Sequence, residues 1–252
     1  MAQQVAWPNS SVCLSAEYME VETLARKAYQ RTCRFGFEEP GFCLLDVGSA
    51  IGSVNFRRLM VDLKNAMSTI HQSITGLRLI YLSATRFDQQ STTKFHLDGG
   101  PDECFLMLGY EPSEVEAELE IADYAKCAFD LGISPKEFMD RYNPMFKTGS
   151  EMLWPYTTRI PCFSRANYQI ICINNSSAPF FENKPAWQGT LHTASIIAPD
   201  ENKRRIINST MIAPAAEGVP DGITDAEQEE FINTPIVRRR GYDKQHLADD
   251  LT

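Results

Sequence analysis

Apolar positions along the chain switch between two periods, and the switches divide it into segments of different kind. Behind Ser15, a helix-capping residue type, Val21, Leu24, Ala25 and Ala28 recur at helical spacing and Gly36 follows, predicting a helix over residues 16–33. The run Gly41-Phe42-Cys43-Leu44-Leu45-Asp46-Val47-Gly48 is short, apolar and bounded by glycines, which predicts a strand. Beyond Ser53, the positions Phe56, Leu59, Met60, Leu63, Met67, Ile70 and Ile74 keep helical spacing with polar residues opposite, predicting a second, stronger helix. His71 falls near its end on the polar side, where a surface imidazole is expected.

From Leu77 the period becomes two. Leu77 to Phe87 predicts a long strand, the polar turn Asp88-Gln89-Gln90-Ser91 follows, and Thr92 to Asp98 predicts another strand. Cys104 to Gly109 predicts a buried one. The segment 113–158 breaks this pattern. Ser113-Glu114-Val115-Glu116 and Ser134-Pro135-Lys136-Glu137 have the form of capping boxes, and Val115, Leu119, Ala122 and Phe129 share a helical face, so a helical insertion is predicted, slightly favoured as a lid. Strands resume over 157–163 and 168–174 and in the two runs that carry His192 and Arg205. Beyond Pro214 the chain turns polar and acidic, with a helix over 224–231 and then Arg238-Arg239-Arg240. A triple arginine is ordinarily solvated surface; contact with a partner subunit or an anionic substrate is the alternative. Helices first, then about eight short strands, predict a mainly β protein with flanking helices. Its core would be a double-stranded β-helix of jelly-roll or cupin-like type, in one domain over residues 1–252. In that division, 15–75 supply N-terminal helices and a first strand, 77–212 the β core with the insertion 113–158, and 214–252 a polar C-terminal segment.

Composition narrows the function classes. With 43% apolar residues the chain can bury a sizeable core, and its net charge of −9 argues against nucleic acid and anionic membrane surfaces as partners. No stretch has the apolar length of a transmembrane helix, and the first residues lack the pattern of a signal peptide. The seven cysteines include no Cys-x-x-Cys pair, which points to free thiols in the cytoplasm and away from a zinc site. The glycosylation sequons at Asn174 and Asn208 carry little weight in that setting.

The candidate chemistry begins at His96-Leu97-Asp98, which closes the alternating run and opens onto Gly99-Gly100-Pro101. Period two places His96 and Asp98 on one strand face, about 7 Å apart along the chain. His192 lies in a later apolar run, and Arg205 follows on the next. Two imidazoles and one carboxylate on one face of an iron leave three positions open. A downstream arginine is suited to grip a carboxylate through two parallel hydrogen bonds.

Together these residues resemble the Fe(II)/2-oxoglutarate-dependent dioxygenases, over about residues 77–212. The resemblance implies the double-sheet barrel fold, with Fe(II), 2-oxoglutarate as co-substrate, and O2. Carried over position by position, it makes His96, Asp98 and His192 the iron ligands and Arg205 the anchor for the distal carboxylate of the ketoacid. Ser209 joins Arg205 as an inward hydroxyl on the same strand face. Arg204 falls on the other face; neither face is clearly apolar, so Arg205 is a preference. Members of the family that halogenate lack the carboxylate held here by Asp98, so the resemblance implies hydroxylation of a small polar or amino-acid-like substrate, with release of succinate and CO2. Arg86 is a candidate to hold a substrate carboxylate, against the plainer reading of a charge on the sheet surface. Two alternatives stay open: a cupin-like metalloenzyme that uses the same ligands without 2-oxoglutarate, and a barrel-shaped binding protein that does no chemistry. Neither the substrate's identity nor the oligomeric state follows from the residues.

Overall fold

The computed structural model describes residues 6–17, 19–160, 163–180 and 185–242. The elements run α1 (Asn9–Val12), β1 (Cys13–Ser15), α2 (Val21–Thr32), β2 (Phe42–Gly48), α3 (Ser53–Thr75), β3 (Arg78–Gln90), β4 (Phe105–Tyr110) and β5 (Ala117–Ala122). They continue with α4 (Tyr124–Asp130), α5 (Pro135–Arg141), α6 (Lys147–Leu153), a 3-10 turn (Trp154–Tyr156), β6 (Thr157–Arg159), β7 (Tyr168–Asn174), β8 (Leu191–Ile196), β9 (Ile206–Ala215), α7 (Asp225–Asn233) and β10 (Arg238–Tyr242).

Two sheets face each other. The larger has the order β1-β2-β7-β4-β9-β3-β10 and the smaller β6-β5-β8. The interior pairs of the large sheet are antiparallel, while β1 on β2 and β10 on β3 are parallel edge additions from the two ends of the chain. This is the double-sheet, jelly-roll class of β fold with flanking helices, open rather than closed into a barrel.

The alternation of the strands explains the layering. One face of the large sheet offers Leu45, Leu79, Phe105, Met107, Ile170 and Ile212 to Leu24 and Ala28 of α2, to Phe56, Met60 and Met67 of α3, and to Phe231 of α7. The other face offers Leu44, Phe87, Leu108, Ile171, Ile173 and Ile207 to Leu119 and Ile121 of the small sheet. Helix α3 comes so close to the sheet that a Cβ on Gly109 would lie 2.5 Å from Met60 Sδ and 2.8 Å from Phe56 Cε1. Only glycine fits at that crossing.

Several expectations are corrected. The helix expected over 16–33 is α2 and starts at Val21, because Ser15 is taken into β1, whose parallel pairing with β2 places it opposite Asp46. Residues 117–122 form a strand: Glu118 and Glu120 alternate with buried Leu119 and Ile121, a period-two pattern that the apparent capping box at Ser113 obscured. The second box does start a helix, since Ser134 Oγ accepts from Glu137 N at the head of α5. His71 is buried. Its Nδ1 is 2.8 Å from the Tyr29 hydroxyl, and burial pushes its pKa down to about 4, so it belongs to the α2–α3 interface and not to the surface. Cys13 is disulfide-bonded, which overturns the all-thiol expectation, whereas Cys33, Cys43, Cys104, Cys127 and Cys172 are free and buried. Asn174 and Asn208 are both fully buried, so neither sequon can carry a glycan. No helix among the described residues is long and apolar enough to cross a membrane.

Candidate metal centre

The site forms where the chain leaving β3 passes alongside β8. Thr93 N donates to Ala194 O, and Ala194 N and Ile196 N donate to the hydroxyls of Thr93 and Thr92. Side-chain oxygens stand where a regular strand would offer carbonyls. The segment 92–98 is therefore irregular, and the strand expected there is reduced to a single bridge between His96 and His192. That bridge is closed by His96 N to His192 O at 3.2 Å and His192 N to His96 O at 3.3 Å. Residues paired in this way stand directly opposite each other, with side chains on the same face of the pair. The two imidazole centroids are consequently 4.3 Å apart.

Asp98 completes the group. His96, Asp98 and His192 each bring a ligand-type atom to a cluster in which all three lie within 4.8 Å of one another, and His96 Nε2 is 3.5 Å from Asp98 Oδ1. His96 Nδ1 lies 2.7 Å from the Lys94 carbonyl. A carbonyl only accepts, so Nδ1 carries a proton, and Nε2, the nitrogen facing Asp98, is the one a metal would take in place of a proton. The Asp98 backbone is clamped by one side chain: Asp98 N donates to Asn175 Oδ1 at 2.9 Å, and Asn175 Nδ2 donates to Asp98 O at 2.8 Å. Gly100 lets this loop lie close to the sheet, since a Cβ there would meet Met211 Sδ at 2.9 Å and Cys104 Sγ at 3.0 Å.

Electrostatics divide the three groups. The hydrogen bond to Asp98 raises the His96 pKa against the opposing effect of burial. The bond to His96 holds the Asp98 carboxyl below its usual range, and the charges of His96 and Arg240 add to this. Burial first, and then the charge of His96, push His192 down to about 4, so its ring is neutral near pH 7.

The cluster opens into a cavity of about 180 Å3 between the two sheets. Phe87, Leu108 and Ile207 form its apolar walls, and Tyr110, Ser209 and Arg205 line it from the large sheet. Arg205 is buried, stacked with Cζ 4.9 Å from the Tyr110 ring centre, and donates Nη1 to Gln89 O at 3.2 Å. Arg204, one residue earlier, is exposed. His192 Nδ1 and Arg205 Nη2 are buried without a hydrogen-bond partner among the described residues. Orphaned buried groups of this kind cost about 1–3 kcal/mol each, and a bound ligand is one way to relieve that cost. One carboxylate oxygen and two imidazole nitrogens are a donor set suited to iron, so the residues present fit such an ion.

Arg86 is not brought to this cavity. Its guanidinium lies on the opposite face of the sheet, bonded to Glu111 at 3.1 Å and 3.2 Å and to the Pro235 carbonyl. Trp187 is fully buried core, with its ring against His71. None of residues 113–158 lines the cavity, so the expected lid is absent there. Helices α4 to α6 pack around Leu191, Phe95 and Leu97, outside the metal cluster. Sequence reasoning missed Asn175 and Tyr110, and it gave Arg240, within the triple arginine, as solvated surface with contact to a partner subunit or an anionic substrate as the alternative. Asn175 stood in plain view as an amide directly after an apolar strand, a type that needs a partner when buried. Tyr110 carried no signal beyond its strand.

No protein-family model matches this chain, and no curated protein does either. Among solved structures it is similar to an iron and alpha-ketoglutarate-dependent endoperoxidase, NvfI, at 13% identity and a TM-score of 0.41, over 75% of this chain and 82% of that one. A tryptophan-to-phenylalanine variant of the same enzyme aligns at 14% identity and a TM-score of 0.39 over the same shares. Likeness this distant assigns no chemistry to the chain, whose function has to be read from the cavity's own side chains.

Proposed function

We propose that this chain is an Fe(II)/2-oxoglutarate-dependent oxygenase that hydroxylates a small polar or amino-acid-like substrate. The observation that carries this reading is the meeting of one carboxylate and two imidazoles within 4.8 Å, in a cavity that also holds a buried guanidinium with an unused donor. His96, Asp98 and His192 would hold the iron. Arg205, with Ser209 on the same face, would hold the distal carboxylate of 2-oxoglutarate. With that ketoacid and O2, a bound ferrous ion supplies oxidative decarboxylation to succinate and CO2, coupled to oxygen insertion into a C–H bond.

The rest of the work belongs to the chain. The Lys94 carbonyl fixes the His96 tautomer, and the Asn175 amide holds Asp98 in place. Burial keeps His192 neutral and ready to ligate. Arg205 is held by Tyr110 and Gln89, so its fork is already oriented when a carboxylate arrives. Phe87, Leu108 and Ile207 give the cavity its apolar wall.

Titration of the protein with Fe(II) and then 2-oxoglutarate, without O2, tests this directly. The expected result is a weak visible charge-transfer band, followed by succinate when O2 is admitted. Iron binding with no response to 2-oxoglutarate would remove the ketoacid and leave a cupin-like metalloenzyme. Failure to bind iron at all would leave a binding protein.

A further inference from the structure

The C-terminal strand brings a second cation to the metal cavity. Strand β10 adds in parallel to the edge of β3, with Arg238 opposite Phe87 and Arg239 opposite Asp88, and the register slips between Arg239 and Tyr242. Arg240 lies within that slip and lines the cavity together with the three metal-cluster residues and Arg205. Its Cζ stands 3.9 Å from the centre of the Phe87 ring, itself a cavity wall. Its neighbour Arg239 is engaged elsewhere, donating Nη2 to Glu201 O.

Stacking on Phe87 holds the guanidinium at the exposed edge of the cavity. A guanidinium lying on an aromatic face is held through its plane, and its N–H edge remains available for a planar acceptor. Arg240 makes no ion pair with a described residue, and among the described lining residues Asp98 is the one acidic side chain.

The charges then decide what completes the site. A ferrous ion brings two positive charges and Asp98 removes one; Arg205 and Arg240 each add one; dianionic 2-oxoglutarate removes two. One positive charge is left over, and Arg240 carries it at the solvent-exposed edge of the cavity. A single carboxylate on the substrate cancels it, and a bidentate match to a stacked guanidinium favours a planar carboxylate over a point anion. We propose that Arg240 is the specificity-determining residue of this centre and anchors one carboxylate on its substrate. This rests on the oxygenase reading for the chemistry, and on the cavity alone for the anion site.

Pairs of small acids and their amides test it, because each pair differs only in that charge: N-acetylalanine with its primary amide, and butyrate with butyramide. Binding is measured by calorimetry on the metal-free protein, and by perturbation of the visible band on the oxygen-free Fe(II)–2-oxoglutarate protein. Each acid is expected to bind at least ~10-fold more tightly than its amide, as for a charge-assisted hydrogen-bonded pair. Arg240→Gln should erase that preference while leaving Fe(II) and 2-oxoglutarate affinity unchanged. Arg240→Lys should restore part of it, and Arg239→Gln, which removes the same charge one residue away, should preserve it. The proposal is overturned by equal binding, or none, of acid and amide to the wild-type protein, by a preference that survives Arg240→Gln, or by loss of the preference in Arg239→Gln. It also fails if Arg240→Gln weakens 2-oxoglutarate and leaves the acids untouched. An Arg240-dependent preference in a protein that shows no iron–ketoacid band would support the anion site and reject the oxygenase reading.

Discussion

The two faces of the β4–β9–β3 strands carry the same kinds of residue and treat them in opposite ways. On the helix side, Glu111 is buried between Arg57 and Arg86 and also accepts from Ser53 Oγ and Asn208 Nδ2. The two arginines spend their remaining donors on the carbonyls of Ile232, Thr234 and Pro235, binding the C-terminal segment to the sheet. On the cavity side, Arg205 rests on Tyr110 with one donor unused, and Arg240 rests on Phe87 near Asp98 without an ion pair to a described residue. Charge compensated by the protein itself serves the fold. Charge left uncompensated beside a cluster of metal-ligand type marks where a ligand is awaited. The two faces are also linked: the helix-side clamp on 232–236 leads directly into the strand that delivers Arg240 to the other side.

The largest expected effects fall on the cavity side and leave the fold intact. His96→Ala, Asp98→Ala and His192→Ala should each abolish Fe(II) binding, with a circular dichroism spectrum close to that of the wild type. Any one of them that still binds iron normally removes that residue from the triad.

Glu111→Ala should act on the other face and in the other way. It leaves two arginines buried without their carboxylate and should cost about 3–5 kcal/mol of stability in denaturant unfolding. If the variant is as stable as the parent but poor in ketoacid binding, the contrast between the faces is wrong.

Arg205→Ala sharpens the contrast from the cavity side. It should weaken 2-oxoglutarate binding by ~10²-fold, measured through the visible band, with iron affinity unchanged and only modest loss of stability. Arg204→Ala, at an exposed position, should leave ketoacid binding nearly as it was. A reversal of these two results would mean that Arg205 holds the sheet and Arg204 the ligand.

The smallest effect concerns Asn175. Asn175→Ala removes both hydrogen bonds that clamp the Asp98 backbone and should lower Fe(II) affinity by about 10-fold, the lower end for a residue that supports a ligand. Loss of stability without loss of iron affinity would place Asn175 with the structural face.

The distances in sequence at which these residues act explain what could be read from the chain. Long helical periodicity marked α3, period two marked β3, and unbroken apolar runs marked β7, which is buried on both faces, and the strand carrying His192. The ligand types and their order were visible at His96, Asp98 and His192, since two of the three lie in one tripeptide. His71 was misjudged because its burial depends on Tyr29 and Trp187, residues far from it in the chain. The strand at 117–122 was hidden because a serine followed by glutamates satisfies the local rule for a helix start equally well.

Local pattern by itself thus determined the mainly β architecture, the helices that flank it and the chemical types offered to a metal. Only the tertiary structure decided which groups meet. The single bridge between residues 96 and 192 sets two imidazoles side by side, and Asn175 holds Asp98 from 77 residues away. The same alternation on neighbouring strands sends Arg86 to a buried carboxylate and Arg205 to the cavity, and an edge strand brings Arg240 to join it. A side chain's period tells which way it points along its own strand. What it meets there depends on pairing between distant strands, and that is set by the burial of whole faces rather than by any local signal.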